Sequence, residues 1–73
     1  MIIRVQSFIP YLENIKNEYH IEKQVSIKQF TDSLGVKWDE DALVVVNRTI
    51  CLDHSFMLND GDLVELLIPL SGG

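Results

Sequence analysis

The chain has 73 residues, 47% of them hydrophobic and 23% charged, with a formal net charge of −5. That length allows one small domain with a modest core, and this composition, ordinary for a globular protein, argues against disorder. The acidic surplus speaks against nucleic acid, whose phosphates require a basic surface, and favours a partner with a basic face, the alternative being that it serves solubility alone.

No apolar run approaches the ~20 residues that span a bilayer. The N-terminus shows no basic region followed by an apolar stretch and a cleavage site. A cytoplasmic protein without a membrane role is the expectation. The single cysteine, Cys51, excludes an internal disulfide framework and fits a reducing compartment. It lies between Ile50 and Leu52, which favours a structural thiol over a nucleophile, since a nucleophile needs a neighbour that stabilises its thiolate. His20 and His54 are isolated in the sequence, and zinc-like ligand spacing is absent, so no metal site is expected.

Residues 2–9 read as a strand, with Ile3, Val5, Ser7 and Ile9 on one face and Ile2, Arg4, Gln6 and Phe8 on the other. Pro10 ends it. Residues 11–17 form a polar connection with room for a helical turn, and residues 18–25 read as a second strand. Ser26 followed by Gln29 has the spacing of a capping box. Ile27, Phe30 and Leu34 then recur on one helical face, and Gly35 suits the position just after the helix. This predicts a helix over residues 27–34.

Trp38 stands in a polar linker, as an aromatic that closes the core edge or as a contact residue. Residues 43–46 are a run suited to a strand buried on both faces. Residues 47–49 read as a turn and residues 50–52 as a short returning strand. Residues 53–58 are irregular, with Phe56, Met57 and Leu58 placed to pack beneath them. Asn59-Asp60-Gly61-Asp62 is a turn sequence, with both aspartates read as turn formers in preference to partner contacts. Residues 63–68 form the last strand, with Val64, Leu66 and Ile68 on one face and Leu63, Glu65 and Leu67 on the other. Runs of strands with one segregated helix describe an α+β domain.

The chain closes Pro69-Leu70-Ser71-Gly72-Gly73. Pro69 stops the ladder, and five residues reach about 16 Å when extended. Glycine has no Cβ and admits close approach in a narrow cleft, so the tail can thread an enzyme's active site; the alternative is a frayed terminus. The division expected is a domain over residues 1–68 and a flexible tail over residues 69–73. Leu67, Leu70 and Phe8 form a candidate apolar docking patch beside the tail, or else close the core edge.

The element order with a Gly-Gly ending resembles the ubiquitin-like β-grasp fold, a mixed sheet of four to five strands with one main helix packed across it. The segment from Leu58 to Gly73, with its Asp-Gly-Asp turn, apolar strand and Pro-containing tail, is similar to the C-terminal region of the sulfur carriers of molybdopterin and thiamine biosynthesis. Val45-Val46-Asn47-Arg48-Thr49 is similar to the valine-rich strand and Asn turn of that family. Pro69 and the connection over residues 10–17 resemble the small subunit of molybdopterin synthase more closely.

This resemblance implies that the Gly73 carboxylate is adenylated by an ATP-dependent activating enzyme and converted to a thiocarboxylate. The chain would bind no cofactor and would not be an enzyme alone. Gly72, Ser71, Leu70, Pro69, Leu67 and Phe8 would meet its partners, the adenylating enzyme and the large subunit of molybdopterin synthase. The alternatives are a thiamine-pathway carrier, a ubiquitin-like modifier joined to proteins through Gly73, and an interaction module with an inert tail.

Overall fold

The computed structural model describes residues 1–38 and 42–69. Five strands and one helix follow one another as β1 (Ile2–Ser7), β2 (Glu18–His20), α1 (Ile27–Ser33), β3 (Leu43–Val46), β4 (Thr49–Ile50) and β5 (Leu63–Leu67). The strands form one sheet in the order β2-β1-β5-β3-β4. β1 and β5 pair in parallel, with Val5 opposite Val64 and Ser7 opposite Leu66. The other three pairings are antiparallel. A mixed sheet with the first and last strands at its centre, and one helix against one face, is the ubiquitin-like β-grasp arrangement.

Alternation along the strands sends Ile3 and Val5 of β1, Val44 and Val46 of β3, and Val64 and Leu66 of β5 to one face, where they are buried with Ile27 and Phe30 of α1. Ile9, Val36, Ala42 and Leu58 complete this core from the connections. Tyr19 of β2 meets Phe30 edge-on, with ring centroids 5.5 Å apart.

A seven-residue helix has little stability of its own, so caps and packing decide whether α1 forms. Its first three N–H groups lack partners within the helix, and each finds one outside it. Ile27 N donates to the Phe56 carbonyl at 2.7 Å and Lys28 N to the His54 carbonyl at 3.2 Å. Gln29 N donates to Ser26 Oγ at 3.1 Å, while Ser26 N donates back to Gln29 Oε1 at 2.9 Å. The capping box is therefore complete. The helix stops one residue short of the expected Leu34, which serves as its C-cap; Gly35 follows at φ +78°.

Three expectations are corrected. The second strand covers residues 18–20, not 18–25, because its partner β1 runs out. Ile21 N donates to the Met1 carbonyl at 2.8 Å and the terminal amine of Met1 to the Ile21 carbonyl at 2.7 Å. The returning strand covers residues 49–50, not 50–52, because Asn47 and Arg48, at φ +50° and +72°, form a two-residue turn that sets Thr49 opposite Val46. Phe56 and Met57 are exposed, and only Leu58 is buried. The backbone of this segment caps α1 and bridges Ser26 at Met57, which fixes the chain beside the helix start. In addition, residues 10–17 hold turns and no helix, and β1 and β5 end at Ser7 and Leu67, before the expected Ile9 and Ile68.

Candidate functional site

β5 positions the candidate site. Its core-side residues Val64 and Leu66 are fully buried, so Leu63, Glu65 and Leu67 fall on the opposite, outer face. Register extends that face to both sides. Leu43 of β3 stands opposite Leu67, Val45 opposite Glu65, and Gln6 of β1 opposite Glu65. Ile50 of β4 stands opposite Val45. Phe8 follows Ser7, which pairs with Leu66, and its N–H donates to the Leu66 carbonyl at 2.8 Å. Phe8 thereby continues the row that holds Leu67 and Leu43.

Of the expected contact residues, the structure brings Phe8 and Leu67 together at the end of β5. Phe8 is 48% exposed, and Leu67 and the following Pro69 are half-buried. Leu43 and Leu67 give this corner an apolar surface continuous with Phe8. Ile68 is also exposed, past the last ladder position. Leu70, Ser71, Gly72 and Gly73 lie outside the described residues.

The other end of β5 is fixed by a polar knot. Asn47 Nδ2 donates to Asp62 Oδ1 at 2.9 Å, and Asn59 N donates to Asp62 Oδ2 at 2.7 Å. Asn47 Oδ1 accepts from Leu63 N at 2.9 Å, and Asp60 Oδ1 accepts from Ile2 N at 2.6 Å. Gly61, at φ +86°, makes the turn that brings these groups together and donates from its N–H to the Ile2 carbonyl at 2.8 Å. Both aspartates thus act as turn formers and set the start of β5 against β1 and β3.

Two residues important to the outer face were not singled out from sequence, Glu65 and Arg48. Glu65 is the acidic residue of β5, and its side chain is 10% exposed. Arg48 Nε lies 3.9 Å from Glu65 Oε1 and is itself 81% exposed. A charged residue in the middle of an apolar last strand was the available signal, but its burial depends on β3 and the β3–β4 turn.

Arg4, opposite Leu63, and Glu18, opposite Arg4, continue this face toward β2. Cys51 is half-buried, and its thiol donates to the Asp53 carbonyl at 3.4 Å. Hydrogen bonds from the Ser55 hydroxyl and then the Ser55 N–H hold the Asp53 carboxyl below its ordinary value. Trp38 packs against the core and on His54, with ring centroids 4.2 Å apart. Among the described residues no three His, Cys, Asp or Glu side chains come together as a metal-binding group. No helix among them is long and apolar enough to cross a membrane.

The geometry has a match among solved structures. A chain in the protein–protein complex of subunits 1 and 2 of molybdopterin-converting factor from Helicobacter pylori 26695 superposes with a TM-score of 0.67, at 24% identity, with all of both chains covered. The two chains share one fold. No protein-family model matches the chain, and no curated protein matches it. The superposition bears on architecture, and it takes in the full length of both chains.

Proposed function

We propose that this chain is a sulfur carrier that serves molybdopterin synthesis. The observation that carries the reading is the end-to-end likeness to a chain from the molybdopterin-converting factor complex. The Pro69 to Gly73 sequence and the apolar corner at Phe8 and Leu67 add to it.

A carboxylate resists attack because its charge repels nucleophiles. Joining the Gly73 carboxylate to AMP, with release of pyrophosphate, supplies a leaving group. A persulfide sulfur held by a partner then displaces AMP to give an acyl disulfide, and a thiol reduces that S–S bond, leaving the thiocarboxylate on Gly73 and the oxidised thiol in a disulfide. ATP and the acid–base groups belong to the activating enzyme. This chain contributes the acyl group, a narrow tail and a surface that directs the tail. It acts as substrate of the activating enzyme and as sulfur-bearing subunit beside a large subunit of molybdopterin synthase.

The test is intact mass after incubation with the host's activating enzyme, ATP and a cysteine-derived sulfur source. The expected product has one oxygen exchanged for sulfur, reacts with a thiol alkylating agent, and does not form when Gly73 is deleted. Gly73→Ala should slow its formation and leave the melting curve unchanged. Absence of both a thiocarboxylate and an AMP adduct on the unchanged chain would overturn the reading. High-mass conjugates through Gly73 in cells would assign the chain to protein modification instead.

A further inference from the structure

Glu65 holds the centre of the outer face. Val45 and Gln6 flank it across the neighbouring strands, and Leu63 and Leu67 flank it along its own. Its side chain is 10% exposed, and its one ionic partner among the described residues is Arg48, with Nε 3.9 Å away. That separation exceeds hydrogen-bond length. Arg48 is mostly in water, and such a loose pair contributes little.

A partner that covers this face removes the last water from the carboxylate. An ionised group enclosed without a charged or hydrogen-bonding counterpart is strongly unfavourable. We propose that Glu65 is the polar anchor of partner recognition, and that the protein docking on this face places a lysine or arginine against its carboxylate. The proposal rests on the carrier reading and adds the chemistry of the large subunit's contact surface: apolar where it meets Phe8, Leu67 and Leu43, cationic where it meets Glu65. The chain's net charge of −5 matches such a surface and disfavours a second copy as the occupant. A central, desolvated charge also discriminates, because a wholly apolar competitor leaves Glu65 unpaired.

The experiment measures the Kd of the host's homologue of the molybdopterin synthase large subunit for the unchanged chain and for Glu65→Gln, Glu65→Leu and Glu65→Lys. Melting curves of each free variant accompany it. The isosteric Glu65→Gln should weaken binding by about tenfold or more, and Glu65→Leu and Glu65→Lys by roughly 30-fold or more, through the partner's stranded cation. All three variants should keep a cooperative melt. Binding by Glu65→Leu as tight as that of the unchanged chain would overturn the anchor while leaving the carrier reading intact. Failure of the unchanged chain to bind would overturn the large-subunit partnership and the anchor with it. Self-association of the unchanged chain through this face would overturn it too, since the occupant would be a second copy.

Discussion

Arg48 occupies a backbone conformation that glycine would hold with less strain. At φ +72° its Cβ crowds the following carbonyl, a cost of about 1–2 kcal/mol for an L-residue. The usual partner of Asn in such a two-residue hairpin turn is glycine. Arg48→Gly should therefore stabilise the free chain by about 0.5–1 kcal/mol, the relief being partly offset by a more flexible unfolded chain; a rise in melting temperature is the readout. Asp62 should respond in the opposite direction. Its carboxylate satisfies Asn59 N and the Asn47 amide at once, and Asp62 itself is largely buried. Asp62→Ala strands both donors and should cost about 2–3 kcal/mol, seen in urea as a lower midpoint at unchanged slope. Phe8 and Leu67 could be placed on one face from alternation alone. The burial of Glu65 could not, because its cross-strand neighbours Val45 and Gln6 lie on other strands, which no local pattern in residues 63–68 brings near.

At the scale of elements, legibility followed how local the determining contacts are. α1 was readable because its start is written within four residues, Ser26 to Gln29, and its apolar stripe within eight. Ser26→Ala should remove the bond from Gln29 N to Ser26 Oγ while keeping the one from Ser26 N to Gln29 Oε1, and should destabilise the chain by about 1 kcal/mol, measured by thermal melting, with no change in the proposed modification of the tail. β2 and β4 were misjudged because a strand extends only as far as its neighbour does. Residues 22–25 have strand-like composition but face no strand once β1 has begun. Leu52 is apolar but lies beyond the two positions at which β4 pairs with β3. Phe56 and Met57 look like core residues in sequence. The Phe56 carbonyl accepts from Ile27 N and Met57 bridges Ser26 at the start of α1 instead, and that commitment is long-range.

For the molecule as a whole, the acidic surplus sets how partners arrive. Lys and Arg total six against eleven Asp and Glu, so a basic partner surface attracts the chain before contact. The association rate with the proposed activating enzyme or large subunit should fall about tenfold or more between low and high salt, with a much smaller change in dissociation rate; stopped-flow measurement at several ionic strengths checks this. The parallel pairing of β1 and β5 has a mechanical consequence. The chain enters the sheet at Ile2 and leaves it at Leu67, on neighbouring strands that point the same way. Tension applied between the two ends loads that ladder in shear, so its rungs must fail together instead of one after another. A tail drawn forcibly into a cleft would transmit its pull to the strongest direction of the sheet, and the body could be tugged repeatedly by its end without coming apart.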